Sequence, residues 1–304
     1  MKFLLLLIAI IFISFQPAGK KDPFVVVLGI AQDAGYPQIN CKKECCRNVY
    51  TGESKKQMVS CIALVDPVSN QKWIVDATPD ITEQVHLLDS YQQGDISGIF
   101  LTHAHIGHYT GLMYLGREGL NANKVSVYAM PRMAEFISSN GPWSQLISLK
   151  NIELKKLKAD SIIRLNERIA VQPLLVPHRD EFSETVGYLI KANSRSLLFI
   201  PDIDKWNKWE KDIKEYINQC DYLLLDGTFY DEGELPGRNM AEIPHPFVQE
   251  SMDLLEKLSP AEKKKIWFIH FNHTNPLVRN DPSACNEVKN RGFNAVRQGQ
   301  SFRF

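Results

Sequence analysis

Three histidines fall within six residues of "LTHAHIGHYTG", at positions 103, 105 and 108, directly after the apolar stretch Ile99-Phe100-Leu101. Neutral imidazole is a good ligand for Zn²⁺, Fe²⁺ or Mn²⁺. Two positions apart on an extended chain point the same way, so His103 and His105 can enter one metal site. His108, on the first turn beyond, can face a neighbouring one. A solvated loop that happens to be rich in histidine is the plain alternative. Other ligand types stand where further apolar runs stop: His178 after "LLVP", Asp202 after "LLFIP" and His270 after "WFI". A polar residue at a strand end is held by a rigid sheet and exposed at its edge, where ligands and catalytic groups are carried. Singly each reads as a surface residue; together they read as one centre.

The elements that must position these residues are visible as short apolar runs. Strands are predicted over 24–29, 61–65, 73–75, 98–101, 125–128, 169–175, 186–190, 196–200, 222–225 and 266–269, and helices over 81–88, 132–138, 205–218, 247–258 and 283–289. Strands outnumber helices, and several follow one another with only a turn between. This α/β mixture favours two sheets covered by helices over a doubly wound parallel sheet. No internal repeat or linker divides residues 22–304, which read as one domain.

The chain has 304 residues, 44% of them hydrophobic, enough for a sizeable core, and its 35 basic and 35 acidic residues cancel. Nothing in that balance draws it to nucleic acid or an anionic membrane, so a small-molecule substrate is expected. At the N-terminus Lys2 precedes an apolar run from Phe3 to Phe15, followed by Pro17 and small residues. Such a run is too short to span a bilayer, and residues 1–19 have the layout of a signal peptide. Export to the periplasm or the exterior is expected, with a retained N-terminal anchor as the alternative. Of six cysteines, Cys41, Cys45 and Cys46 crowd into "NCKKECC", a cluster that suggests metal binding. Cys61, Cys220 and Cys285 are scattered and read as buried thiols.

The ordered set Asp76 in "WIVDATPD", "HAHIGH", His178, Asp202 and His270 resembles the metallo-β-lactamase superfamily over essentially the whole of the chain beyond the leader. The phrases "VVVLGIAQDAGYPQINC", "PHRDEFSETVGYLI", "LLLDGTFY" and "IHFNHTNPL" are similar to the pyrroloquinoline quinone biosynthesis protein B branch. The resemblance implies an αββα sandwich with a metal site at one edge. It implies that His103, His105 and His178 bind a first metal, that Asp202 bridges, and that His108 and His270 face a second. Asp76 would brace the histidine loop. The superfamily usually carries Asp where this chain has Gly107, so the second position is expected to lose one anionic ligand, keeping His108, His270 and the shared Asp202, and to be weak or empty. The resemblance also implies a structural zinc held by Cys41, Cys45, Cys46 and His273, although the spacing here is Cys-x-x-x-Cys-Cys rather than Cys-x-Cys-x-x-Cys. A disulfide between two of these cysteines after export is the alternative.

Around the expected site, Asp226 ends an apolar strand and can orient a metal-binding histidine through its second nitrogen. His245 reads either as a proton donor to a leaving group or as a surface histidine between prolines. His86 reads as structural. Arg179, beside His178, could hold an anionic substrate or simply be solvated. Three protein histidines with an open position lower the pKa of bound water to about 7. The expected function is therefore a metal-dependent hydrolase of a small ester, phosphodiester or lactam-type substrate, with metal-bound hydroxide as nucleophile. Zinc is the first choice of active-site metal, with iron or manganese as others. An iron-dependent oxidoreductase in pyrroloquinoline quinone-type cofactor biosynthesis and a non-catalytic zinc-stabilised binding protein are the competing readings.

Overall fold

The computed structural model describes residues 22–239 and 242–304; the predicted signal segment lies outside them. Among the described residues no helix is long and apolar enough to cross a membrane. Fourteen strands of the described residues form two seven-stranded sheets. The first contains β1 (Phe24–Gly29), β2 (Cys61–Asp66), β3 (Gln71–Val75), β4 (Gly98–Phe100), β5 (Val125–Ala129), β6 (Ile152–Lys156) and β14 (Ser301–Arg303), in the order β14-β1-β2-β3-β4-β5-β6. The second contains β7 (Ile163–Arg164), β8 (Ile169–Leu175), β9 (Val186–Ala192), β10 (Arg195–Ile200), β11 (Tyr222–Asp226), β12 (Ile266–Ile269) and β13 (Asn294–Ala295), in sequence order across the sheet.

Alternation along the strands builds the layers. In β1, Val25 and Val27 join the core shared with the second sheet, whereas Val26 and Leu28 face the opposite way. That outer face is covered by Ile81 and Leu88 of helix Ile81–Asp89, Met133, Ala134 and Ile137 of helix Pro131–Ser139, and Leu146 of helix Trp143–Ser148. On the second sheet, Ile213 and Ile217, Val248 and Met252, and Ala284 and Val288 supply the helical cover. The result is the expected αββα sandwich, with two apolar sheet faces packed on each other and helices outside.

Strand direction decides where the site lies. β3 and β4 run parallel, and β1, antiparallel to β2 as β3 is, runs with them. In the second sheet β10, β11 and β12 are parallel, and β8 shares their direction because both β8 and β10 pair antiparallel with β9. The C-terminal ends of all these strands therefore meet at one edge of the sandwich. Asp76, His178, Asp202, Asp226 and His270 each occupy the end of such a strand or the few residues beyond it.

The single helix expected over 205–218 is two pieces, a 3₁₀ turn Trp206–Lys208 and the helix Ile213–Gln219. Trp209 is extended between them, its indole donating to the Leu175 carbonyl at 2.8 Å, and Asp212 starts the second piece by accepting from the Lys214 amide. A buried anchor and a new N-cap thus break a run whose apolar spacing looked continuous.

Candidate metal centre

The histidine loop is assembled on a buried carboxylate. Asp76 sits in the left-handed region at φ 73°, which turns its side chain back beneath the loop. Its Oδ1 accepts from the Thr102 amide at 2.8 Å, its Oδ2 accepts from His108 Nδ1–H at 2.7 Å, and the Thr102 hydroxyl donates to it at 3.0 Å. Since that hydroxyl is the donor, the 2.9 Å contact between Thr102 Oγ1 and His103 Nδ1 must be donated by the imidazole. Both His103 and His108 are thereby fixed with the proton on Nδ1 and the lone pair on Nε2. Asp76 braces the loop as expected, with both carboxylate oxygens taken up by Thr102 and His108.

The second sheet repeats the device. The Thr228 hydroxyl donates to Asp226 Oδ1 at 2.7 Å and takes His270 Nδ1–H at 2.9 Å, while Asp226 Oδ2 accepts from His245 Nδ1–H at 2.8 Å. Asp226 thus orients His270 through a threonine and His245 directly, leaving each Nε2 free. His270 also adopts a left-handed backbone, at φ 68°. His105 is tied from outside, its Nε2 at 3.4 Å from Glu181 Oε2, so that its Nδ1 faces inward.

The ligand atoms of His103, His105 and His178 lie within 4.8 Å of one another. His103 Nε2 and His105 Nδ1 are 2.8 Å apart. Two lone pairs aimed at each other repel unless a cation lies between or beside them. His178 has both ring nitrogens buried without a hydrogen-bond partner, and Asp202 Oδ2 is in the same state. Orphaned buried polar atoms of this kind are expensive unless a metal or water satisfies them. Asp202 stands between two groups: Oδ2 is 3.2 Å from Nε2 of both His108 and His270, and Oδ1 is 3.8 Å from His178 Nε2. It is placed to bridge.

A second carboxylate, not anticipated from the sequence, completes the other group. Asp33 Oδ1 lies 2.9 Å from His108 Nε2 and 3.4 Å from His270 Nε2. Asp33, His108 and His270 form a cluster of metal-binding dimensions. The anionic oxygen expected to be missing because of Gly107 is present, supplied from the far end of the chain. The signal that could have found it is the one that found the others, an acidic residue just beyond an apolar strand, here "VVVLGIAQD".

Electrostatics divides the two halves. Burial, with His108, His105 and His178 nearby, holds His103 well below the usual histidine range, and burial lowers His105 against the pull of Asp202 and Asp33. His178 is pushed down to about 2 by burial and by neighbouring His245 and His105. These three are neutral bases, as metal ligands must be. Burial would depress His108 too, but the carboxylates of Asp76, Asp202 and Asp33 outweigh it and raise it well above the usual range. Positive charge is therefore favoured at this half, and a divalent cation meets that demand as a proton would. Burial likewise works against ionised Asp33, but its close approach to the His108 and His270 rings holds its carboxyl well below the usual range.

At the rim, Cys41, Cys45, Cys46 and His273 bring one ligand atom each within 4.8 Å of the others. The unusual spacing is accommodated because Cys45 and Cys46 occupy the start of helix Glu44–Tyr50 while Cys41 lies on the turn before it. All six cysteines are free thiols in the structure. Burial pushes the Cys46 thiol up to about 12 and raises Cys45 as well. A cation that converts them to thiolates would relieve this, and a three-cysteine, one-histidine shell suits zinc. His273 Nδ1–H donates to Asn272 Oδ1 at 3.0 Å, leaving Nε2 for the cluster. His86 is exposed on helix Ile81–Asp89, away from the site, and Arg179 is exposed beside His178.

Residues 72–271 match the family described as "Beta-lactamase superfamily domain". Coenzyme PQQ synthesis protein B of Methylorubrum extorquens (strain PA1) is 26% identical over 90% of this chain and 98% of its own length. The protein of the same name from Acinetobacter baylyi is 28% identical over 84% of this chain and 92% of its own. Among solved structures, Zn²⁺-bound PqqB from Methylobacterium extorquens superposes with a TM-score of 0.79 at 22% identity, covering 92% of this chain and all (100%) of that one. A diphosphatase from the PhnP family superposes at 0.65 and 20% identity, covering 93% and 97%.

Proposed function

This chain belongs to the metallo-β-lactamase superfamily, and from that premise we propose that it is a two-metal hydrolase of phosphodiesters. The observation that carries the reading is the sharing of Asp202 between two complete clusters, His103/His105/His178 on one side and Asp33/His108/His270 on the other. Paired metal positions suit in-line displacement at phosphorus, where the attacking and leaving oxygens must both be stabilised. The similarity to a diphosphatase supports the choice of a phosphorus centre over a lactam. These residues would hold divalent ions, which would supply Lewis acidity to polarise the phosphoryl group and acidify water.

The chain's own contribution is placement and proton supply. The Asp76–Thr102 and Asp226–Thr228 relays fix the tautomers of His103, His108 and His270, so Nε2 of each presents a lone pair without reorganisation. His245 is the remaining proton carrier. Burial alone would depress it, yet Asp226 and Asp202 raise it, which favours a proton that Nε2 can give to the leaving alkoxide. His245→Ala is expected to slow substrates with poor alkoxide leaving groups by about 10²–10⁴-fold while leaving nitrophenyl esters nearly unaffected. Comparing kcat for alkyl and nitrophenyl phosphodiesters tests this; equal losses for both would rule out the donor role.

A second reading rests on a different feature. Asp33, His108 and His270 are a two-histidine, one-carboxylate set, the type that holds non-haem iron, and relatives over nearly the whole chain carry the name coenzyme PQQ synthesis protein B. Oxygen uptake by iron-loaded protein with a tyrosine-derived substrate, and none with zinc, would favour it over hydrolysis.

A further inference from the structure

Gly107 is helical rather than left-handed, so its backbone does not require glycine. Space does. A Cβ at 107 would fall 2.5 Å from Asp33 Cα, 2.8 Å from its Oδ1 and 2.9 Å from its Cβ. Real Cβ atoms do not approach backbone so closely, and the volume that a side chain at 107 would enter is the volume Asp33 fills. The segment that brings Asp33 there is fixed at both flanks. The Gln32 amide donates to the Phe271 carbonyl and the Phe271 amide to that of Ile30, each at 2.8 Å, and Ala31 bridges both Val59 and Phe271. This stitching joins the end of β1, in the first sheet, to the residue after His270, in the second. Asp33 and His270 are therefore carried on one paired unit. A tight turn, closed by the Gly35 amide on the Gln32 carbonyl at 2.7 Å, then aims the Asp33 carboxylate at His108.

We propose that Asp33 is a ligand of the second metal position, a carboxylate relocated to the end of the first strand, and that Gly107 is present to leave room for it. The proposal rests on the metal reading above. It corrects the expectation that Gly107 costs the second position an anionic ligand, and a Gly107→Asp side chain would collide with the one already performing that role.

The test is metal stoichiometry of the full chain, saturated with zinc, freed of excess by gel filtration and measured by elemental analysis, with cobalt spectra as a second readout. Asp33→Asn keeps the shape and removes the charge. It should lose one of the two active-site equivalents, or bind it at least about tenfold more weakly, since even removing a partner that only orients a ligand costs 10–100-fold. The first-site equivalent and the zinc of the cysteine cluster should stay. Gly107→Ala should produce the same selective loss by displacing Asp33, and it serves as the second variant if Asp33→Asn does not fold. Full stoichiometry and unchanged affinity in Asp33→Asn would overturn the assignment of Asp33 alone. A lack of any active-site metal in the unmodified protein would overturn the metal reading and this proposal together.

Discussion

His103→Ala and His178→Ala are each expected to reduce phosphodiester turnover by more than about 100-fold, beyond the 10–100-fold typical of losing a group that merely orients a ligand. Each removes one of three neutral imidazoles whose inward nitrogens a cation would satisfy, and neither ring nitrogen of His178 has a hydrogen-bond partner. His108→Ala should be comparably damaging. From the sequence alone it would be expected to do less harm, since Gly107 deprives the second position of one anionic ligand. The contact between Asp33 and His108 removes that distinction. Measuring kcat/KM beside metal content for the three variants decides the matter. Near-normal turnover in His108→Ala, with severe loss in His103→Ala, would return the account to a single working metal.

Cys46→Ser and His273→Ala are expected to release one tightly held zinc and to lower the thermal midpoint substantially. Structural zinc contributes on the order of 10 kcal/mol in small peptide domains. A third of that in this larger chain corresponds to a fall of roughly 5–10 °C. A second effect follows from geometry. Cys41 to Cys46 continue the segment that carries Asp33, with the Tyr36 hydroxyl donating to the Cys45 carbonyl at 2.6 Å, and His273 is three residues beyond His270. Loosening the cluster should therefore weaken the second active-site position and spare the first. Unchanged zinc content and melting in both variants would show that the cluster holds no metal.

The strand-end residues were legible in the sequence because a strand that stops at a polar residue must present it at the sheet edge, and parallel directions gather those edges together. Asp33 obeys the same rule but was missed. Its partners His108 and His270 are remote in sequence, and it lies in a turn four residues past the end of β1. What made Gly107 look like a deficiency was the local motif; only the tertiary approach of the two segments shows that the glycine makes room. The paired threonine relays were equally hidden, since Thr102 and Thr228 are ordinary strand-end residues until their hydroxyls are seen between a carboxylate and an imidazole. The edge strands β7, β13 and β14 span two or three residues each and leave no period to read.

The central claim is that two bound metal ions make this chain a phosphodiester hydrolase. Protein stripped of its active-site metal, with the cysteine-cluster zinc retained, should be titrated with Zn²⁺ or Mn²⁺ while hydrolysis of bis(p-nitrophenyl) phosphate is followed. Negligible hydrolysis is expected at the start, with a rise that is complete only when the second equivalent has bound. Full activity after one equivalent, or none at any metal content, would contradict it.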